Sequence, residues 1–384
     1  MPNINDYLIW RGDIKINPYV KYNEIDSMIL ARLSYLRFDK IEMKEEMTIE
    51  EASNLMKDFD NDEFLYNGDK ELITNLGQSS RFKNMIITDY EKNNDREAEK
   101  QFGAVTVHIS DKEMYVSYIG TDCSIYGWKE DLNMAFMESV PCQVAGKEYL
   151  ERVAKKYPNK KIRIGGHSKG GNVAIYAAIT SSKEVQDRIV KVYNYDGPGL
   201  SKNTINQYMN DDILKKIETY IPQDSVVGRI LYHKEKITVV LSKEKGIYQH
   251  DIYSWQIKQS EIITVEKNTE TSENINTTII DWLENTTPAQ RKIFADSLFE
   301  LFYSTDVNTF SDIKKSMSSS VPKILKKYSE LMEDDKKTMT AMIKVFALSY
   351  MSVVKEKETS KFKNKKDELS EKYFSRFKKL QGDK

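Results

Sequence analysis

The segment Gly166-His167-Ser168-Lys169-Gly170 places a serine midway between two glycines. A short β-branched stretch, residues 161–164, precedes it, and an alanine-rich stretch, residues 172–181, follows it. A serine on such a sharp turn from strand to helix is a nucleophile elbow, in which only small flanking residues fit and the helix amino end favours developing negative charge. Because both flanking stretches are of the required type, the pattern favours a nucleophilic Ser168 over a glycine-rich turn with an inert serine.

A serine hydroxyl needs an adjacent base, and the base needs an orienting acid. The chain contains four histidines: His108, His167, His233 and His250. In hydrolases with this elbow the chain order is serine, acid, histidine. That order excludes His108, and His167 lies inside the elbow, where we expect its side chain to point away from that of the serine. His233 and His250 remain.

The number of strands predicted after the elbow decides between the remaining candidates. The acid usually follows the second such strand and the histidine the third, which selects Asp224 and His250. Asp196, at the end of the first strand, is the alternative acid, and His233 is the alternative base.

The developing oxyanion needs two hydrogen-bond donors. One is expected to be the amide of Lys169, directly after the nucleophile. The other is expected from the loop Gly120-Thr121-Asp122, which follows an earlier strand. Thr121 offers both an amide and a hydroxyl, although an ordinary Gly-Thr turn would look the same in sequence.

The elements that must position these residues can be predicted from hydrophobic periodicity. Residues 104–109 and 114–119 flank a polar turn and predict a hairpin. Strands at 161–164, 189–195, 217–221 and 237–241 then alternate with helical patterns, which predicts a parallel sheet covered on both faces. The expected fold class is α/β, an α/β-hydrolase fold with a mostly parallel central sheet and helices on both faces.

The last third of the chain differs and predicts a C-terminal helical annex. We expect a catalytic domain at residues 1–265, with an N-terminal helical segment at about 20–80, and an annex at 266–384. The polar run 266–278 is interpreted as a linker or loop, and Thr287-Pro288-Ala289-Gln290 as a capped helix start. A Lys/Glu-rich stretch from residue 355 completes the annex, which could instead be a lid or a membrane-surface element.

Composition narrows the class of protein. The 384 residues are 40% hydrophobic and 30% charged with a net charge of −1, so no global field attracts nucleic acid or acidic membranes. Two cysteines cannot build a disulfide framework or a four-ligand zinc site. Neither a signal peptide nor a membrane-spanning apolar run is evident, so a soluble cytoplasmic protein is expected. The expected chemistry needs no metal and no organic cofactor.

Several segments resemble the class 3, fungal-type lipases. The similar segments are Tyr118-Ile119-Gly120-Thr121-Asp122, Trp128 with Asp131, the elbow continued by Gly171, Tyr195-Asp196-Gly197-Pro198-Gly199, and Asp224-Ser225-Val226-Val227. The last resembles the segment that carries the catalytic aspartate of those lipases, which agrees with the strand count. Two residues depart from those of the lipases: Ile119 replaces the usual Arg, and Lys169 replaces an apolar residue. A cation beside the oxyanion hole would suit an anionic substrate, unless it points into solvent.

Nearly the whole chain is similar to an uncharacterised bacterial family of lipase-like α/β-hydrolases. Asn23-Glu24-Ile25-Asp26 through Leu33-Ser34-Tyr35-Leu36 matches the opening motif of that family. The resemblance implies the fold and the catalytic residues rather than a biological substrate.

The leading hypothesis is a carboxylic-ester hydrolase acting on a lipid, a lysophospholipid or a small acyl ester through an acyl-enzyme. A thioesterase or an acyltransferase would use the same residues. A non-catalytic partner-binding protein on a hydrolase fold is the alternative of a different class, and the intact elbow argues against it. The oligomeric state is left open.

Overall fold

The computed structural model describes residues 2–122 and 124–355. Its central element in these ranges is an eight-stranded sheet whose strands lie side by side in chain order. The strands are β1 (Met47–Thr48), β2 (Ile86–Asp95), β3 (Lys100–Ser110), β4 (Glu113–Tyr118), β5 (Lys161–His167), β6 (Ile189–Tyr195), β7 (Ile217–Pro222) and β8 (Ile237–Val240). Pairing is antiparallel from β1 to β4 and parallel from β4 to β8. The predicted hairpin and the predicted parallel strands are therefore confirmed.

Helices cover both faces of the sheet, as predicted. The helices that precede β2 in the chain are α1 (Ile4–Arg11), α2 (Glu24–Leu33), α3 (Ile49–Met56) and α4 (Asp69–Gln78). Those between strands are α5 (Ile125–Asn133), α6 (Pro141–Lys156), α7 (Lys169–Thr180), α8 (Lys183–Arg188), α9 (Lys202–Tyr208) and α10 (Asp211–Leu214). One apolar core joins the N-terminal helices to the sheet, and a second joins α6 and α7 to its other face. A small hairpin, β9 (Ile257–Lys258) with β10 (Glu261–Ile262), closes this part of the chain.

The annex is helical, with one difference from the sequence-based expectation. Its helices are α11 (Glu270–Glu284), α12 (Pro288–Tyr303), α13 (Phe310–Lys315) and α14 (Met317–Glu330), and residues 333–355 are also helical. The predicted start of α12 is confirmed, with Thr287 and Gln290 forming a capping box.

The interpretation of residues 266–278 as a linker or loop is wrong for most of its length, because α11 begins at Glu270. Thr269 caps this helix by accepting a hydrogen bond from the Ser272 amide. The helix buries Ser272, Thr278 and Trp282, so two of its inward positions are hydroxyl residues. A face built this way carries too few apolar residues to produce a helical hydrophobic pattern.

The annex packs on α5, the helix that follows the Gly120-Thr121-Asp122 loop. Lys129 of α5 forms an ion pair with Asp296 of α12 at 3.0 Å. The Ile125 amide donates to the Asn308 carbonyl at 2.8 Å. Within the described ranges, no helix combines the length and the apolar character needed to cross a bilayer. The Lys/Glu-rich stretch after residue 355 lies outside the described residues.

A buried ion pair anchors the N-terminal helices. Arg32 of α2 and Asp69 at the start of α4 are fully buried, and Arg32 donates two hydrogen bonds of 2.8 Å to the two Asp69 oxygens. Tyr253, close after the predicted base, donates to Asp69 at 2.8 Å. The pair therefore connects the N-terminal segment to the part of the chain that carries His250.

We expect Arg32→Met to lower the free energy of unfolding by about 3–5 kcal/mol, because it leaves the Asp69 carboxylate buried without its partner. The exposed pair Lys44–Glu51 is the control, and Lys44→Met should cost less than about 1 kcal/mol. Urea unfolding of both variants measures the difference. Equal losses would contradict the assigned role of the buried pair.

Candidate active site

Ser168 occupies the sharp turn that its sequence predicts. It lies between the last residue of β5 and the first residue of α7, with φ 58° and ψ −134°. A positive φ is uncommon outside glycine and is maintained only where the surroundings over-determine it. The Ser168 amide donates to the Tyr195 carbonyl of β6 at 2.9 Å, which fixes the turn to the neighbouring strand.

The two glycines of the elbow are required by close backbone approach. A Cβ on Gly166 would lie 2.3 Å from the carbonyl carbon of Gly170. A Cβ on Gly170 would lie 2.2 Å from the Tyr118 carbonyl oxygen at the end of β4. The small residues therefore let the turn close on itself and pack against the strand that leads into the predicted oxyanion loop.

The predicted base, His250, is paired with a carboxylate. Its Nδ1 lies 2.7 Å from Oδ2 of Asp196, which is fully buried at the end of β6. The other oxygen of Asp196 accepts hydrogen bonds from the Ser225 hydroxyl and, at 3.1 Å, from the Gly228 amide. With its other oxygen bonded to these two donors, Asp196 is oriented to accept the Nδ1 proton of His250, which leaves Nε2 available as a base.

The structure does not pair Asp224, the acid that strand counting predicts, with His250, and the carboxylate that contacts His250 is that of Asp196. His167 and Tyr195 are register partners on the adjacent strands β5 and β6, so the residues that follow them, Ser168 and Asp196, come at the same edge of the sheet. Asp224 follows β7, one strand further away. Its carboxylate accepts from the Thr269 hydroxyl and from the Gly246 amide, not from His250.

Asp224 nevertheless contributes to the loop that carries the base. Its amide donates to the Gln249 side-chain oxygen at 2.9 Å, while the Gln249 side-chain nitrogen donates to the Glu244 carbonyl at 2.7 Å. Together with the Gly246 contact, these bonds fix the short helical turn that ends at His250.

The remaining sequence candidates for the base lie elsewhere. His233 pairs through Nδ1 with Glu235 at 2.7 Å, and Glu235 in turn accepts from Thr219 of β7. His108 contacts the Thr88 hydroxyl at 3.0 Å within the hairpin sheet. Neither contacts the elbow.

No side chain of the described residues hydrogen-bonds to Ser168 Oγ. The His167 and His250 rings are nevertheless only 4.6 Å apart, so the base lies beside the elbow. Hydrogen bonds between nucleophile and base are often formed fully only when substrate is bound.

The predicted oxyanion loop lies against the nucleophile. A Cβ on Gly120 would be 3.0 Å from Ser168 Cβ. Within the described ranges neither the Thr121 amide nor the Lys169 amide donates a hydrogen bond to the protein. The Thr121 hydroxyl, which also seemed available, donates to Asp131 at 2.6 Å. Only its amide is therefore free for an oxyanion.

Lys169 points neither at a substrate nor into solvent. Its side chain is 1% exposed, and its amine donates to Glu130 Oε2 at 2.8 Å, with Asp131 Oδ1 at 3.9 Å. Burial alone would lower the pKa of Lys169, but the carboxylates of Glu130 and Asp131 raise it above its ordinary value. The expectation of a cation available to an anionic substrate is wrong, because the charge is neutralised within the protein.

Sequence reasoning did not assign a role to Glu130 or Tyr35. Glu130 also accepts from the Gln101 and Cys142 amides at 3.0 and 2.8 Å, so it joins β3, α6 and the elbow lysine. Its only sequence signal is its place directly before Asp131. Tyr35 belongs to the N-terminal motif, and its hydroxyl lies 3.1 Å from the His167 carbonyl oxygen.

A small cavity lies beside the oxyanion loop. Its volume is about 120 Å³, and Tyr35, Ile119 and Asp122 form part of its wall. Other lining residues are Ser34, Leu36, Arg37, Asp39, Leu65, Tyr90, Lys92, Gln101, Phe102 and Gly103. The lining is mixed, with aromatic and aliphatic side chains next to charged ones.

The sheet, the elbow and the acid–histidine pair define an α/β-hydrolase fold. Residues 76–300, more than half of the chain, match the Mbeg1-like family model. The chain therefore belongs to the Mbeg1-like family, which is a lipase-like family. The resemblance to a lipase-like family is confirmed.

Three solved fungal lipase structures are similar to the chain, each at 14% identity. A fungal lipase–inhibitor complex matches with a TM-score of 0.38 over 57% of this chain and 78% of that one. The Rhizomucor miehei lipase–propeptide complex matches with a TM-score of 0.33, over 50% of this chain and 64% of that one. Lipase II from Rhizopus niveus matches with a TM-score of 0.31, over 47% and 74%. A search of curated proteins finds no match to this chain.

Asp131 should make the stability of the protein depend on pH. Burial raises its pKa from 3.8 to about 6, against the opposing effects of Lys169 and the Thr121 hydroxyl. The folded chain then holds this proton more tightly than the unfolded chain, so protonation of Asp131 favours folding. The free energy of unfolding of the wild type should therefore fall relative to that of Asp131→Asn as pH rises from about 4 to about 6. Urea unfolding of both proteins across this range tests the effect. Parallel curves would contradict it.

Proposed function

We propose that this protein is a serine hydrolase that cleaves carboxylic esters with Ser168 as nucleophile, His250 as base and Asp196 as orienting acid. The observation that carries the proposal is the 2.7 Å contact between His250 Nδ1 and buried Asp196, beside a serine held at positive φ between strand and helix. Membership of a lipase-like family supports the same class of reaction.

In the acylation step, Ser168 Oγ attacks the carbonyl carbon while His250 Nε2 takes the hydroxyl proton. The carbon–oxygen double bond becomes a single bond, and its electron pair moves onto the oxygen. Collapse of this tetrahedral species breaks the bond to the alcohol oxygen, which receives the proton from His250. The alcohol leaves, and the acyl group remains on Ser168.

The amides of Thr121 and Lys169 are proposed to stabilise the oxyanion. Both are free of protein acceptors in the described structure, and the amide of Lys169 lies at the amino end of α7, where the helix dipole favours negative charge. The Thr121 hydroxyl bond to Asp131 orients the loop rather than contributing a donor.

In the deacylation step, water replaces the alcohol. His250 takes a proton from the water as its oxygen bonds to the acyl carbon, and collapse returns that proton to Ser168 with release of the acid. This sequence needs no metal and no organic cofactor. A thioester, or an acceptor alcohol in place of water, would react by the same steps, so thioesterase and acyltransferase reactions belong to the same proposal.

We expect Ser168→Ala to abolish both ester hydrolysis and fluorophosphonate labelling of the protein. Asp196→Asn should lower kcat by about 10²–10⁴-fold, because the loss of the anion frees the histidine from its required tautomer. Steady-state kinetics on a p-nitrophenyl ester provides the measurement.

Asp224→Asn is the matched control, since it removes the other candidate carboxylate while keeping the size of the side chain. It should lower kcat much less than Asp196→Asn does. A larger loss in Asp224→Asn would contradict the choice of acid. Full activity or labelling in Ser168→Ala would contradict the proposed function itself.

We further propose that the acyl group enters the cavity that borders the oxyanion loop at Ile119 and Asp122, which would favour a short acyl group over a long one. Its volume of about 120 Å³ is well below the roughly 300–1,000 Å³ typical of sites for drug-sized ligands. Across p-nitrophenyl acetate, butyrate, octanoate and palmitate, we expect kcat/KM to be highest for the first two. A maximum at palmitate would contradict this assignment of the substrate.

A further inference from the structure

Tyr35 comes from the segment between α2 and α3, outside residues 76–300 that match the family model. Its side chain nevertheless ends at the catalytic elbow and is 1% exposed. The hydroxyl of Tyr35 lies close to the elbow and to the oxyanion loop. It is also connected, through the ring of His167, to the loop that carries His250.

The contact with the elbow is direct. The Tyr35 hydroxyl donates to the His167 carbonyl at 3.1 Å, and its oxygen lies 3.3 Å from His167 Nδ1. His167 directly precedes the nucleophile, so this contact holds the backbone at the point where the chain turns to positive φ.

The contact with the base loop runs through the His167 ring. His167 Nε2 lies 2.7 Å from the His250 carbonyl oxygen. Because a carbonyl oxygen only accepts, Nε2 must carry the ring proton and Nδ1 carries none. Nδ1 and the His167 carbonyl are therefore both acceptors beside the single proton of the Tyr35 hydroxyl. Burial lowers the pKa of His167 well below its ordinary value, which keeps the ring neutral in this arrangement.

The contact with the oxyanion loop is at Gly120. A Cβ at this position would lie 2.0 Å from the Tyr35 hydroxyl oxygen, so the loop passes directly over it. Burial raises the pKa of the Tyr35 phenol well above its ordinary value, and the Gly120 amide acts in the opposite direction as a donor near the oxygen.

The ring of Tyr35 is itself fixed from behind. The Arg32 guanidinium lies 4.1 Å from its centroid, and the Tyr66 ring meets it edge-on with centroids 5.9 Å apart. Arg32 is in turn held by the buried ion pair with Asp69. The hydroxyl therefore occupies a rigid position.

We propose that Tyr35 is a positioning residue for the ester hydrolysis proposed above: its hydroxyl holds the nucleophile turn, the oxyanion loop and the histidine loop in register with one another. The inference rests on the proposed function. It assigns to the N-terminal segment, which precedes residues 76–300, a contribution to the rate of the chemical steps.

Tyr35→Phe removes only the hydroxyl and keeps the ring between Arg32 and Tyr66. We expect kcat to fall by about 10–100-fold with little change in KM, the size of effect seen when residues that orient metal ligands are removed. The second-order rate of fluorophosphonate labelling should fall in parallel, because it reports the reactivity of Ser168 without the deacylation step.

Tyr115→Phe is the matched control. Tyr115 is fully buried on β4, and its hydroxyl donates to the main-chain carbonyl of Ser27 in α2 at 3.0 Å, so it loses a comparable hydrogen bond. A purely structural role for Tyr35 predicts that the two variants lose similar stability and keep similar kcat. That outcome would overturn the proposal.

A second pair of variants tests the link through His167 even if Tyr35→Phe does not fold. His167→Gln retains an N–H that can reach the His250 carbonyl, whereas His167→Leu does not. We expect the Gln variant to retain several times the kcat of the Leu variant at matched stability, and equal kcat would overturn the proposal.

If Ser168→Ala remains active, the proposed function fails and this inference with it. If Ser168→Ala is inactive while Tyr35→Phe matches Tyr115→Phe, only this inference fails.

Discussion

The positive φ of Ser168 is the constraint on which the rest of the site depends. A serine in this conformation is costly unless its neighbours hold it. Gly166 and Gly170 provide the space for the turn, the Tyr195 carbonyl accepts its amide, and α7 follows without a break. These local contacts together hold one strained residue at the end of β5.

The charges near the turn are arranged in two separate groups. Asp196 is surrounded by donors and faces His250, whereas Lys169 faces Glu130 and Asp131. Without these carboxylates, the buried cation of Lys169 would be costly to keep in the folded protein. Its pairing with Glu130 connects the elbow to α5, and through Lys129 the same helix is connected to the annex.

The fold was largely predictable from the sequence, because buried parallel strands such as 189–195 are short β-branched runs separated by helical patterns. The elbow was predictable because its glycines are required by contact. The acid was not, since strand counting carries no information on which carboxylate comes into register with the elbow. Helix α11 was missed because hydroxyl residues occupy two of its inward positions. Tyr35 was missed because His167, which it contacts, lies 132 residues away in the sequence.

The central claim is that Ser168, His250 and Asp196 form one catalytic unit facing the amides of Thr121 and Lys169. A crystal structure of the protein after reaction with a fluorophosphonate tests it most directly. The account predicts phosphorus bonded to Ser168 Oγ, a phosphoryl oxygen within about 3 Å of both amides, and His250 still paired with Asp196. A label on another residue, or His250 paired with Asp224 in that adduct, would contradict the account.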